Sequence, residues 1–278
     1  MQPADRRHQQ VLEFAPHPET RRQWFAQLWS YRSVLDILAR RDFQTRYKRA
    51  SLGVIWAVAV PLLQAAVMAF VFSHVLRVGS GQRFAVYVMS GVVAYTYFST
   101  VVQAGSTAIV DGAGLTDKVW FPRALLVIVP ALSSLVGFVV TLVVVVAITP
   151  VFGVSLGPRL LLLIPVTALL FAFSLGVSLV LGALHVYFRD VRFLVLAALT
   201  ILIYLAPIVY PQTQLHRFGP WLDFNPLTGI VVLFHMSTVG SGGPWVRAVV
   251  VSVCATAVLL LAGTEAQRRH DRLFVDLL

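Results

Sequence analysis

Long apolar runs separated by short polar connections dominate this chain. About 20 apolar residues are enough for a helix to cross the hydrocarbon core of a bilayer. The pattern therefore predicts six transmembrane helices, of which the last two are short: 54–76, 84–104, 124–148, 160–187, 193–210 and 248–263. The fold class that this indicates is an all-α polytopic membrane protein.

An amphipathic helix is predicted before the first run. Trp24, Leu28, Tyr31, Leu35 and Leu38 follow steps of three and four, which is the spacing of one helix face. Such a helix next to a first span is typical of the membrane interface, where it lies flat among the headgroups. Packing of this face against a protein partner is the alternative.

A long connection with its own apolar piece follows the fifth run. Residues 227–239 are too short to span and are bounded by Asn225-Pro226 and by a Gly- and Pro-rich turn. We expect short re-entrant helices here, although an ordinary surface loop is the alternative. The predicted organisation is a flexible cytoplasmic arm, an interface helix with a basic linker, and a six-span domain: 1–23, 24–49 and 50–278.

Charge predicts the orientation. Cytoplasmic segments carry an excess of Lys and Arg, and a basic stretch ends just before the uncharged first run. With both termini in the cytoplasm, few of the 22 basic residues lie outside: Arg77, Arg83, Arg159, Arg217 and Arg247. We therefore expect a multi-pass protein of the cytoplasmic (inner) membrane. The net charge of +10 indicates contact with anionic lipids, not with nucleic acid.

The sequence gives little support for an enzyme active site or a metal site. Residues 153–157 match the Gly-x-Ser-x-Gly pattern of a nucleophile elbow, but they lie in a short connection between two predicted spans, where a turn is the simpler interpretation. Three histidines, His74, His185 and His235, belong to different segments, and Cys254 is the only cysteine. We predict no catalytic residues and no metal site.

Charge inside the predicted spans bears on whether the chain is a transporter. The centres of the predicted spans lack charged residues, which argues against proton- or ion-coupled transport. Polar residues can still line a path, and four candidates are Gln64, Gln103, Thr141 and Ser174. Neither Lys48 nor Lys118 follows a glycine, so the chain has no phosphate-binding loop. If ATP is used, a partner must bind it, and we expect no cofactor in this chain.

Two predicted cytoplasmic loops, 111–123 and 185–192, mix charged and aromatic residues. Docking of a soluble partner and anchoring in the headgroup layer explain this composition equally well.

Five motifs, taken in order along the chain, resemble the ABC-2 type permeases that export polysaccharides. The first runs from Arg41-Asp42 through Arg46-Tyr47-Lys48 and Ser51-Leu52-Gly53 to Trp56 and Pro61. The others are Lys118-Val119 with Phe121-Pro122-Arg123, Tyr187-Phe188-Arg189-Asp190-Val191, Pro207-Ile208-Val209-Tyr210-Pro211 and Asn225-Pro226-Leu227-Thr228-Gly229. At Arg49-Ala50 the chain departs from the family pattern.

The resemblance implies a homodimer that pairs with two copies of a cytoplasmic ABC ATPase, which binds ATP and Mg. The dimer would enclose a channel for a glycan on a polyprenyl pyrophosphate lipid, with the re-entrant helices as the exit gate. The interface helix and both cytoplasmic loops would contact the ATPase. The residues implied in coupling are Trp24, Trp29, Asp111, Asp117, Lys118, Phe121, Arg123, Tyr187, Arg189 and Asp190.

Side-chain chemistry suggests where such a substrate would bind. Arg46, Lys48 and Arg49 could attract the pyrophosphate headgroup. Aromatic faces and hydroxyls suit sugar rings, although each aromatic could equally be a packing residue. The channel-lining candidates are Trp56, Phe72, Tyr97, Phe98, Tyr204 and Tyr210.

Two other functions compete with this interpretation. An ABC-2 exporter of small lipids or drugs is the first. A membrane-embedded enzyme acting on polyprenyl lipids is the second, but it would need acidic or histidine residues grouped at the interface, and the sequence shows no such group. The polymer is not identified, because O-antigen, teichoic acid, capsule and galactan exporters share these motifs. The predominance of arginine over lysine leans slightly toward a galactan.

Overall fold

The computed structural model describes residues 20–47, 53, 55–77, 81–116, 121–210, 219–240 and 245–270. Lys48, Arg49, Asp117 and Lys118, and the predicted arm up to residue 19, lie outside the described residues. The α-helices in these ranges are α1 (Arg21–Ser30), α2 (Arg32–Tyr47), α3 (Ile55–Phe70), α4 (Gln82–Asp111), α5 (Ala113–Thr116), α6 (Ala124–Ile148), α7 (Leu163–Tyr187), α8 (Val191–Leu205), α9 (Gly219–Leu222), α10 (Pro226–Thr238) and α11 (Val246–His270).

Within the described ranges, five stretches are long and apolar enough to cross a membrane. They are Ile55–Val75, Arg83–Asp111, Ala124–Phe152, Pro158–Tyr187 and Val246–Arg269. Short π and 3-10 turns extend α3, α6 and α7 to these lengths. The five stretches correspond to five of the six predicted spans, which confirms an all-helical polytopic membrane protein.

The fifth predicted span is shorter than expected. The helix ends at Leu205 because Pro207 disfavours helical backbone at the residue before it, and Ala206 is extended, with φ −95° and ψ 144°. The 15 residues of α8 are about 22 Å long, which is short of the roughly 30 Å of hydrocarbon.

An irregular segment continues this crossing beyond α8. The Tyr95 hydroxyl donates to the Leu199 carbonyl, and the Tyr87 hydroxyl lies 3.2 Å from the carbonyl oxygens of both Pro207 and Tyr210. The chain therefore follows α4 back toward its start. Residues 206–209 are buried, so this non-helical backbone is covered by protein, as a membrane requires.

Helix α10 is re-entrant. Most of its 13 residues are buried, and the Pro226 carbonyl at its start accepts a hydrogen bond from Ser252. Ser252 lies about 9 Å along α11 from Val246, so α10 begins inside the bundle. The two helices meet closely at Gly229, where an added Cβ would lie 2.3 Å from the Ala248 carbonyl oxygen. The re-entrant prediction is confirmed for α10.

The face predicted for the N-terminal helix is turned toward the protein. Thr20 and Gln23 form a capping box that starts α1 at Arg21. Trp24 is buried among residues of α4, α6 and α7, and Leu28 and Leu35 pack around Phe121 and its neighbours. This face therefore contacts the chain's own bundle.

Both ends of the described chain lie at the same end of the bundle. The Arg21 guanidinium lies 3.2 Å from the Glu265 carboxylate near the end of α11. We call this end of the bundle, where α1 packs, the α1 end, and the opposite one the far end. The arrangement agrees with the even number of crossings predicted from charge.

Candidate functional site: a polar groove along α4

Helix α4 carries a polar stripe on one face. Thr96, Thr100, Gln103, Thr107 and Asp111 follow steps of four, three, four and four, so they line up along the helix. The stripe runs from the middle of α4 to its last residue. All five residues line cavities, which makes this face the wall of a groove.

The part of the groove nearer the middle of α4, here called the upper part, lies between α3, α4 and α6. It is a cavity of about 190 Å³ with hydroxyl, aromatic and small apolar groups on its walls. Its lining residues are Arg46, Trp56, Ala57, Val60, Pro61, Val93, Thr96, Tyr97, Thr100, Ser134, Gly137, Phe138 and Thr141. Toward the far end the groove is closed, because the Tyr87 ring of α4 stacks on His235 of α10 with ring centroids 3.5 Å apart.

The lower part of the groove opens toward the α1 end. This cavity of about 520 Å³ lies between α4, the end of α2 and the start of α8. Its lining residues are Arg46, Thr100, Gln103, Ala104, Ser106, Thr107, Asp111, Arg192 and Leu196. Arg46 and Thr100 line both cavities, so they mark the junction between the two.

Arg46 is held in place from two sides. Its Nε lies 2.9 Å from Asp42 Oδ2 one turn earlier on α2, and its Nη1 donates to the Ser134 hydroxyl at 3.2 Å. Asp42 in turn accepts a hydrogen bond from Ser133. The end of α2 is thereby fastened to two adjacent serines of α6.

The residues implied in ATPase coupling fall into two groups. Trp24, Phe121 and Arg123 are buried in the α1 end, where Trp24 packs against α4, α6 and α7 and Phe121 packs with residues of α1, α2 and α6. The others that the structure describes are exposed near this end: Trp29, Asp111, Tyr187, Arg189 and Asp190. Asp117 and Lys118 lie outside the described residues.

Only some of the predicted channel-lining residues line the groove. Trp56 and Tyr97 line the upper cavity, and the Tyr97 hydroxyl donates to the Ala131 carbonyl at 3.0 Å. Phe98 packs in the core against Phe173, with ring centroids 5.4 Å apart. The remaining three, Phe72, Tyr204 and Tyr210, line neither cavity.

The polar residues predicted to line a transport path also separate into those that line the groove and those that do not. Gln103 and Thr141 line the groove, whereas Ser174 donates to its own helix at the Leu170 carbonyl. Sequence reasoning missed Thr96, Thr100 and Thr107, although their spacing with Gln103 was a readable signal. It also missed Arg192 as part of the groove, because no local pattern links the start of α8 to α2.

No group of three or more metal-ligating side chains occurs in the part of the chain that the structure describes. The groove offers instead hydroxyls along its length, one amide in its lower part and aromatic rings in its upper part, with cations at Arg46 and Arg192 and a carboxylate at Asp111. Such walls can hydrogen-bond and stack with a polar, largely uncharged solute and attract an anion at the junction.

Comparison with known proteins agrees with this architecture. The model of the family described as ABC-2 type transporter matches residues 34–238. Similar proteins include the O-antigen export system permease protein RfbA of Klebsiella pneumoniae, which is 26% identical over 201 residues, or 72% of this chain and 77% of that protein. The protein of the same name from Myxococcus xanthus is 27% identical over 212 residues, or 75% and 81% of the two chains. The chain therefore belongs to the ABC-2 type transporter family.

Proposed function

We propose that this chain is the permease subunit of an ATP-driven exporter that moves a polysaccharide, linked to a polyprenyl pyrophosphate lipid, across the cytoplasmic membrane. The observation that carries the proposal is the polar groove along α4. It leads from the α1 end to the middle of the bundle, and α10 lies across its continuation toward the far end. The names of the O-antigen export permeases support the choice of a polysaccharide.

The groove has the chemistry that a glycan needs. Sugar hydroxyls exchange hydrogen bonds with threonine hydroxyls and with the Gln103 amide, and sugar rings stack on aromatic faces. A neutral polymer needs no charged wall, and between Arg46 and the far end the upper cavity has none. In our proposal two copies of the chain face each other, so that their two grooves form one channel.

The α1 end is the cytoplasmic end in this proposal, and it is where a separate ATPase docks. The chain carries no Gly-Lys-Ser/Thr phosphate loop of its own. Exposed groups near this end come from different elements, including Trp29 of α1 and the turn that holds Arg189 and Asp190. A partner that contacts both can transmit its motion to α1 and to the α7–α8 connection.

A bulky side chain in the groove tests the function. Thr100→Trp should abolish surface glycan and cause its lipid-linked precursor to accumulate on the cytoplasmic side, because Thr100 lines both cavities. Val258→Trp is the control, since Val258 is 63% exposed on α11 and valine is nearly isosteric with threonine. The measurement is the glycan profile of cells that express each variant in place of the native chain.

Depletion of the native chain decides between the candidate substrates. Loss of surface glycan together with precursor accumulation supports the polysaccharide. Unchanged glycan, with increased sensitivity to small amphiphiles, would instead identify an exporter of small lipids or drugs and overturn the proposal. ATP hydrolysis by the purified chain without a partner would contradict the assignment as a permease subunit.

A further inference from the structure

One member of an ion pair, Arg46, lies at the junction of the two cavities. Arg46 lines both cavities, and its guanidinium is engaged by Asp42 and by Ser134. Side-chain exposure is 26% for Arg46 and 31% for Asp42, so the pair is partly shielded from solvent but still reachable. A solute that moves from the lower to the upper cavity therefore passes Arg46.

The pair also fastens one helix to another. Asp42 and Arg46 are four residues apart, on one face of α2, and this face meets α6 at Ser133 and Ser134. These serines lie about 14 Å along α6 from Ala124, in a helix that is otherwise apolar over several turns. The contact therefore depends on the carboxylate being directed at both Ser133 and Arg46.

A diphosphate is a strong competitor for this arginine. The described contacts of Arg46 use Nε and Nη1, whereas a guanidinium has five N–H donors arranged to bind phosphate in a bidentate manner. A diphosphate brings more charge and more acceptor oxygens than one carboxylate. Once bound beside Asp42, it also repels that carboxylate.

We propose that a lipid-linked diphosphate binds at the cavity junction by replacing Asp42 on Arg46, and that this exchange loosens the end of α2 from α6. The inference rests on the proposed function, because it names the part of the substrate that this site recognises. It gives the permease a means of sensing its cargo: an occupied junction releases α2, and an empty junction holds it.

Other charges in the lower cavity locate the site. Arg192 adds a second cation on the α8 wall, whereas Asp111 places a carboxylate near the entrance. An anion is therefore favoured beside Arg46 and Arg192 and disfavoured beside Asp111. The sugar chain would then extend along the threonines of α4.

The exchange can be measured as a distance. In a Cys254→Ser background, spin labels at Gln44→Cys on α2 and Val136→Cys on α6 report the separation of the two helices. Both positions are exposed, and each lies within one turn of the serine–aspartate contact. The chain is used with its ATPase partner in nanodiscs of phosphatidylcholine, and farnesyl diphosphate is the probe.

We expect farnesyl diphosphate to shift the labels to a longer distance. Asp42→Asn should show the longer distance without a ligand and bind the probe about tenfold more tightly, because Arg46 is no longer occupied. Arg46→Gln should lower the affinity by at least about tenfold. The control is Asp36→Asn, which breaks the other Asp–Arg pair of α2; that pair has the same spacing but is solvent-exposed, and it should leave distance and affinity unchanged.

Two further ligands distinguish the possible sources of the anion. Inorganic pyrophosphate tests the headgroup alone, and nanodiscs with phosphatidylglycerol test ordinary lipid phosphate. A shift with pyrophosphate and with farnesyl diphosphate, but not with phosphatidylglycerol, supports a diphosphate site. A shift with phosphatidylglycerol alone would identify a phospholipid site and overturn the proposal.

Experiments can contradict the exchange of Asp42 for diphosphate and the proposed function independently of each other. If Asp42→Asn changes neither distance nor affinity, the exchange is wrong even when depletion of the chain abolishes glycan export. If the labels respond as expected but depletion leaves surface glycan and its precursor unchanged, the junction binds diphosphate and the proposed function is wrong.

Discussion

Pro61 shows how single residues adapt α3 to its place beside the groove. Proline has no N–H, so the carbonyl of Ala57, four residues earlier, has no donor within its own helix. The Thr141 hydroxyl of α6 lies 3.2 Å from this carbonyl oxygen and 2.8 Å from its own Gly137 carbonyl oxygen. Thr141 therefore compensates for the proline from a neighbouring helix.

A double-mutant cycle tests this compensation. Thr141→Val should destabilise the protein by about 1 kcal/mol, because the Ala57 carbonyl is left without a donor. In a Pro61→Ala background the backbone N–H of residue 61 is restored, and Thr141→Val should then cost much less. Thr200→Val is the matched control, since Thr200 bonds only within its own exposed helix face. Thermal unfolding in detergent measures all four variants, and equal costs in both backgrounds would contradict the compensation.

At the scale of elements, the attachment of α1 combines an apolar contact with a charged one. Trp24 is buried under the bundle, and the Glu265 carboxylate near the end of α11 is shared by Arg21, Arg268 and Arg269. Local helical spacing identified the Trp24 face, but it could not show that this face meets α4, α6 and α7. The ion pair joins residues 244 positions apart, and no local pattern encodes such a contact.

Neutralising Glu265 should loosen α1 without unfolding the bundle. Glu265→Gln is expected to make amide hydrogen exchange in α1 about threefold faster, because one of its two attachments is weakened. Exchange in α4 and α7 should stay the same, since their packing does not involve Glu265. Asp36→Asn, an acid-to-amide change on the exposed side of α2, serves as control. If α1 exchanges at the native rate in Glu265→Gln, the apolar contacts of Trp24 and Leu28 are sufficient to hold the helix.

For the whole molecule, the two groups of predicted coupling residues lead to different experiments. Arg123 is buried, so a substitution there disturbs packing before it reports on a partner. Arg189 and Asp190 are exposed in the α7–α8 turn, and changes there leave the core intact. The buried residues were chosen by motif resemblance, which marks positions of importance but not whether they face a partner or the interior.

Substitution in the α7–α8 turn should uncouple ATP hydrolysis from export. Arg189→Gln and Asp190→Asn are each expected to lower glycan export about tenfold, equivalent to about 1.4 kcal/mol of lost coupling, while the complex still hydrolyses ATP. Arg83→Gln, an exposed arginine at the far end of α4, is the matched control for Arg189→Gln. Wild-type export by both turn variants would show that this turn does not transmit the motion.

Membrane location, most helix positions and family could be predicted from the sequence alone. Apolar length, charge asymmetry and short motifs depend on neighbouring residues, so they are readable without a fold. The re-entrant piece was predictable for the same reason, because turn residues bound a run too short to span. Even the stripe of Thr96, Thr100, Gln103 and Thr107 was present as a spacing, most of it within a span recognised by its apolar residues.

The tertiary structure alone decided which of these faces meet. It placed Trp24 against the bundle, completed the crossing of α8 with buried irregular backbone, and brought Asp42 and Arg46 to Ser133 and Ser134. Such contacts join residues far apart in the chain. They are selected by the packing and polar satisfaction of the whole bundle, and helical periodicity carries no record of the partner helix.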